Sequence, residues 1–78
     1  MFINVGHGNY VNTDEIDCIV GTNSNKIIRV LQENDDLLVH ATNGKQRKSV
    51  IVMKSGRMIV CSLTAETLAN RLNSGVEG

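Results

Sequence analysis

Three cations stand within four residues at Lys45, Arg47 and Lys48, directly after Gly44. Ammonium and guanidinium groups at this density are the chemistry that neutralises phosphate oxygens. A glycine at the base of such a loop lets the backbone turn sharply and present the side chains outward. Lys54 and Arg57 flank a second turn, Lys54-Ser55-Gly56-Arg57. By composition alone such a run has two readings. A solvated face is the commoner one, and a phosphate-contacting loop is the other. If segments 37–41, 47–54 and 57–63 are antiparallel neighbours, the two turns fall at opposite ends of the middle strand. At strand rise they are roughly 20 Å apart, two separate basic spots. Lys45, Arg47 and Lys48 are the main candidate site, with Lys54 and Arg57 secondary.

The remaining reactive residue types form no recognisable set. Gly6-His7-Gly8-Asn9 is glycine-rich but lacks the lysine and spacing of a phosphate-binding P-loop, and Tyr10-Val11 does not start a helix. It reads as a tight turn needing positive φ. His7, His40, Cys18 and Cys61 carry atoms suited to zinc, without the close-spaced pairs of structural sites. Both cysteines lie in apolar runs and read as core thiols. Ser49, Ser55 and Ser62 sit in no nucleophile signature, and Asp14, Glu15 and Asp17 read as a solvated acidic turn. The residues therefore give no basis for an enzyme, a cofactor, a metal or a small-molecule substrate.

The elements that must position the basic loop follow from apolar patterning. Phe2–Val5 and Tyr10–Asn12 read as extended segments, and Ile16–Gly21 as a strand. Ser24 is a candidate N-cap. It opens a helix near 24–34 whose face is Ile27, Ile28 and Leu31, with Asn34 as a left-handed stop. Leu37–Ala41 reads as a strand and Thr42-Asn43-Gly44-Lys45 as a turn. Ser49–Met53 and Met58–Leu63 form a hairpin around Ser55-Gly56. Both strands are apolar at successive positions, so both faces should be covered, one by a helix and the other by something else, such as a second subunit. Thr64 caps a final helix near 64–73 with Ala65, Leu68, Ala69 and Leu72 on its face. The expected fold is α+β, a small, mostly antiparallel sheet of about five to six short strands with two helices.

A chain of 78 residues is one domain, taken as 1–73 with a flexible tail at 74–78. Its core is thin, and with neither disulfide nor metal in view, partner subunits are the expected support. There is no membrane-length apolar stretch and no leader-like start, which points to a cytoplasmic protein without a membrane partner. One Phe, one Tyr and no Trp cannot build a stacking platform for single strands. Net charge is zero, yet residues 1–36 carry two cations against six carboxylates and residues 37–78 carry six against two. That asymmetry suggests an anionic partner or head-to-tail self-association.

Several ordered segments taken together resemble one family. They are Phe2-Ile3-Asn4-Val5-Gly6-His7-Gly8-Asn9, Ala41-Thr42-Asn43-Gly44, Ser49-Val50-Ile51-Val52-Met53 and Ala65-Glu66-Thr67-Leu68-Ala69-Asn70-Arg71-Leu72. They resemble the Rem family of bacterial extracellular-matrix (biofilm) regulators, from Phe2 to Leu72. The resemblance implies a fold similar to LytTR-type DNA-binding domains. It implies a regulator of matrix genes that binds double-stranded DNA as a ring-shaped homo-oligomer of about eight subunits. The family's DNA-contacting arginines lie in a Gly-Arg-Arg-Thr-Arg loop, which falls here on Gly44-Lys45-Gln46-Arg47-Lys48, and at a position nearer the N-terminus, which falls on Glu15. Gln46 and Glu15 depart from that pattern, and a carboxylate beside a phosphate repels it. The competing expectation is an oligomeric scaffold of the same fold with weak or no DNA binding.

Overall fold

A computed structural model describes residues 1–22 and 25–74. The elements run β1 (Phe2–Gly6), β2 (Asn9–Asn12), β3 (Ile16–Gly21), α1 (Asn25–Glu33), β4 (Leu38–Ala41), β5 (Ser49–Met53), β6 (Met58–Cys61) and α2 (Ala65–Ser74). Short 3-10 turns at Thr13–Glu15 and Asp35–Leu37 precede β3 and β4. The α+β class with two helices and six mostly antiparallel strands is as expected. Ser74 belongs to α2, one residue beyond the expected helix end, and residues 75–78 lie outside the described residues. So does the Ser24 cap.

β1 and β2 form a two-stranded ribbon of their own. His7 and Gly8 make its turn at φ 55° and 79°, the twist that a two-residue hairpin connection favours. Alternation sends Ile3, Val5 and Val11 inward and leaves Phe2 and Tyr10 on the outer face. The other four strands form a sheet in the order β3-β5-β6-β4. β5 pairs antiparallel with both β3 and β6.

β4 departs from the antiparallel arrangement expected of 37–41. It lies beside β6 and parallel to it, with Leu38 opposite Met58 and Ala41 opposite Cys61. The reason is occupancy. Both edges of β5 are already taken by β3 and β6, so the remaining strand cannot join β5 and pairs instead with the open edge of β6. The chain from β4 must then cross the end of β6 to begin β5, and residues 42–48 make that crossing.

The sheet is covered on both faces by its own chain. Val50, Val60 and Met58 pack with Leu31 of α1 and, at the margin, Ile27. Ile51, Cys61 and Ala41 pack with Ile3, Val5 and Val11 of the ribbon and Leu68 of α2. The expected two-sided hairpin is therefore real, and no second subunit is needed to cover it. Thr64 caps α2 as expected, accepting the Thr67 amide at 3.1 Å. Asn34 is not a left-handed stop: its φ is −120°, and its side-chain amide donates to the Val30 carbonyl at 2.8 Å.

The cysteines part company. Cys61 is buried and Cys18 is exposed. The core expectation for Cys18 fails because β3 is an edge strand with a register shift between Ile16 and Cys18. A bulge re-aims side chains away from simple alternation. Burial pushes the Cys61 thiol up to about 11, partly offset by its hydrogen bond with Ser49.

Candidate nucleic-acid interface

The crossing from β4 to β5 begins with a turn whose residue types dictate its shape. Asn43 and Gly44 sit at φ 51° and 79°, and the Lys45 amide donates to the Thr42 carbonyl at 2.9 Å. Asn-Gly is the pair that best tolerates two successive positive φ values. After this turn the chain is extended and pinned. The Lys48 amide donates to the Cys61 carbonyl at 2.8 Å, and the Thr22 amide donates to the Lys48 carbonyl at 3.2 Å. The Thr22 hydroxyl donates to the Arg47 carbonyl, also at 3.2 Å. The loop backbone is therefore held by β6 and by the residue after β3, and Lys45, Gln46, Arg47 and Lys48 are all exposed. Three mobile cationic side chains stand on a fixed base.

Lys45, Arg47 and Lys48 are thus brought together, and Lys54 and Arg57 are not among them. The second pair belongs to the β5–β6 turn, where the Gly56 amide donates to the Met53 carbonyl and Gly56 takes φ 95°. β5 runs between the two groups, and its five residues span about 17 Å at strand rise. The expected separation into two basic spots holds, although the parallel β4 changes the route between them.

Charge is sorted along the strands. The acidic turns Thr13–Glu15 and Asp35–Leu37 lead into β3 and β4. Those strand starts align with the end of β5 and the start of β6. Asp14, Glu15, Asp35 and Asp36 consequently share the end of the sheet that carries Lys54 and Arg57. The Lys54 amide even donates to the Glu15 carbonyl at 2.8 Å. Glu15, the departure from the family pattern, is at the far end of its own subunit from Lys45, Arg47 and Lys48. The carboxylate penalty on those three is weakened by that distance and by salt screening.

Nothing in the sequence linked the neighbours of the loop to it. His7 shares a hydrogen bond with Ser62 Oγ at 3.0 Å, and both line a shallow, open depression with Lys45, Gln46 and Lys48. An adjoining depression is lined by Thr22, Gln46, Lys48 and the start of α2 at Thr64 and Ala65. These residues come from four separate stretches of chain, so only the tertiary fold assembles them. Arg71 is removed from the list of free cations. Its guanidinium donates to the Asn4 carbonyl at 2.6 Å and ties α2 to β1. Among the described residues, no three of His, Cys, Asp and Glu gather as a metal ligand set, and no helix is long and apolar enough to cross a membrane.

The family model described as extracellular matrix regulatory protein A-like matches residues 2–72. The chain belongs to that family. Similar proteins include one from Geobacillus kaustophilus, 42% identical over 73 residues that cover 91% of this chain and 84% of the relative. Another, from Thermoanaerobacter sp. (strain X514), is 39% identical over 77 residues, covering 96% and 80%. A third, from Bacillus cereus (strain AH187), is 38% identical over 78 residues, covering 97% and 90%. All three are described as regulatory proteins. A regulatory role for this member of the family follows.

Proposed function

We propose that the chain is a cytoplasmic, non-enzymatic regulator of extracellular-matrix (biofilm) genes that binds double-stranded DNA through Lys45, Arg47 and Lys48. The observation that carries this reading is the crossover loop itself, three exposed cations on a backbone pinned at both Arg47 and Lys48. Pre-organisation of that kind lowers the ordering cost of each contact. The contacts go to phosphate, since lysines dominate the loop. Preference among sequences then comes from the ease of bending the duplex. Lys54 and Arg57 are secondary, touching only a duplex that passes the far end of the sheet.

One loop supplies few phosphate contacts, so the regulator acts as a closed homo-oligomeric ring of about eight subunits that repeats the loop around its rim. Met1, Phe2, Tyr10, Leu37 and Val39 are exposed apolar side chains, and they offer surface for contacts between subunits. The same apolar surface favours the second reading, an oligomeric scaffold with weak or no DNA binding. A gel shift with long and short duplexes at two salt concentrations separates the two. The DNA reading expects binding that favours the long duplex and collapses at high salt, while the scaffold reading expects no shift with either duplex.

A further inference from the structure

The depression beside the loop contains a residue that the reading above does not use. His7 sits at the tip of the β1–β2 turn, exposed, with backbone φ 55°. Few non-glycine residues adopt that left-handed conformation, and histidine is one of those enriched in it. The turn is seated firmly. A Cβ added at Gly6 would meet the Leu63 side chain at 3.6 Å and Ser62 Oγ at 3.9 Å, so the ribbon is in van der Waals contact with the segment after β6. The Asn9 side chain closes the turn by donating to the Gly6 carbonyl at 2.9 Å. His7 Nε2 is fixed by Ser62 Oγ, 3.0 Å away and 55 residues distant in the chain.

We propose that His7, with Ser62 beside it, contacts a further phosphate of the DNA backbone in each subunit, next to those held by Lys45 and Lys48. This rests on the reading of the loop as a DNA contact and adds to it a fourth, chemically different group. Lys45 and Lys48 line the depression from the loop, and the segment after β6 contributes only the neutral Ser62 and Leu63. A carboxylate is absent from that lining, so an anion entering it meets no opposing charge. A protonated imidazole donates from both ring nitrogens. Nε2–H then donates to Ser62 Oγ, and the serine hydroxyl hydrogen is left to donate to a phosphate oxygen. The contact gains a cation and an oriented hydroxyl in one step. Histidine is the side chain whose charge ordinarily changes between pH 5 and 8, so this contact makes DNA binding strengthen as the solution is acidified.

The test compares the full chain with His7→Asn and His7→Lys, using fluorescence anisotropy on one long duplex at pH 8 and pH 6. Asn suits the left-handed backbone and carries no charge, while Lys keeps a cation at every pH. Circular dichroism at both pH values confirms that each variant is folded. For the parent, the slope of log affinity against log salt steepens by about 0.9 per engaged subunit from pH 8 to pH 6. At fixed salt the gain is about fivefold. His7→Asn loses the pH response, and His7→Lys binds at pH 8 at least as well as the parent does at pH 6. The other histidine, His40, is on β4, opposite Val60, and His40→Asn keeps the response. A parent that binds with no pH response, or a His7→Asn variant that keeps it, overturns the His7 contact and leaves the loop reading standing. A parent that does not bind at all overturns both.

Discussion

Replacing Arg47 and Lys48 together by Ala is the perturbation that most directly tests the loop. Both residues hold the backbone through main-chain groups, the Lys48 amide and carbonyl and the Arg47 carbonyl. Truncating the side chains therefore leaves the anchors to Cys61 and Thr22 in place, and both side chains are exposed. Stability should change by less than about 0.5 kcal/mol, as for surface positions generally. Binding is another matter. Three contacts per subunit over two engaged subunits give six neutralised phosphates and a salt slope near −5.4, taking about −0.9 per contact. Between 50 and 200 mM salt at pH 8 the parent then loses about 2,000-fold in affinity. The double variant keeps only Lys45 in each subunit, has a slope near −1.8, and loses about 12-fold over the same range. Fluorescence anisotropy at four salt concentrations measures both slopes, and light scattering checks that the assembly is unchanged. An unaltered slope in the double variant would overturn the loop assignment.

Other consequences can be checked on the protein alone. Cys18 should react with a disulfide reagent at pH 8 within minutes, while Cys61 should react only on unfolding; equal reactivity would contradict their different burial. The folded-state rise of the Cys61 thiol to about 11 favours the neutral form. Its contribution to stability is thus full below about pH 9 and is lost as pH rises through 11, a loss of about 2–3 kcal/mol that Cys61→Ala should remove from the denaturation profile. Leu68→Ala should cost about 2–5 kcal/mol in urea unfolding, since Leu68 is fully buried between α2, the ribbon and the sheet. Light scattering at tens of micromolar should show an oligomer, and Phe2→Ser with Tyr10→Ser should shift it toward smaller species; a monomeric parent would exclude the ring.

The order of residues along the chain sets the local elements, because their causes are local. Asn43-Gly44 and Gly6-His7-Gly8 demand turns with positive φ wherever they occur. Thr64 ahead of a 3.6-residue apolar stripe demands a capped helix, and the β-branched runs about Ser55-Gly56 demand a hairpin. It also marked Lys45, Arg47 and Lys48 as the charged group to examine, and the ordered segments from Phe2 to Leu72 pointed to the family. Pairing over long distances lay beyond it. Nothing within residues 37–41 says that β4 chooses β6, since that choice depends on which edges β3 leaves open. A register shift in β3 exposed Cys18, although its neighbours are as apolar as those of Cys61. The ribbon and α2, far apart in the chain, cover the face that local patterning could only leave vacant. The same packing brings His7 and Ser62 to the basic loop and sends Glu15 to the opposite end. Side-chain proximity across dozens of residues is fixed by strand order and register, and these are collective properties of the folded sheet.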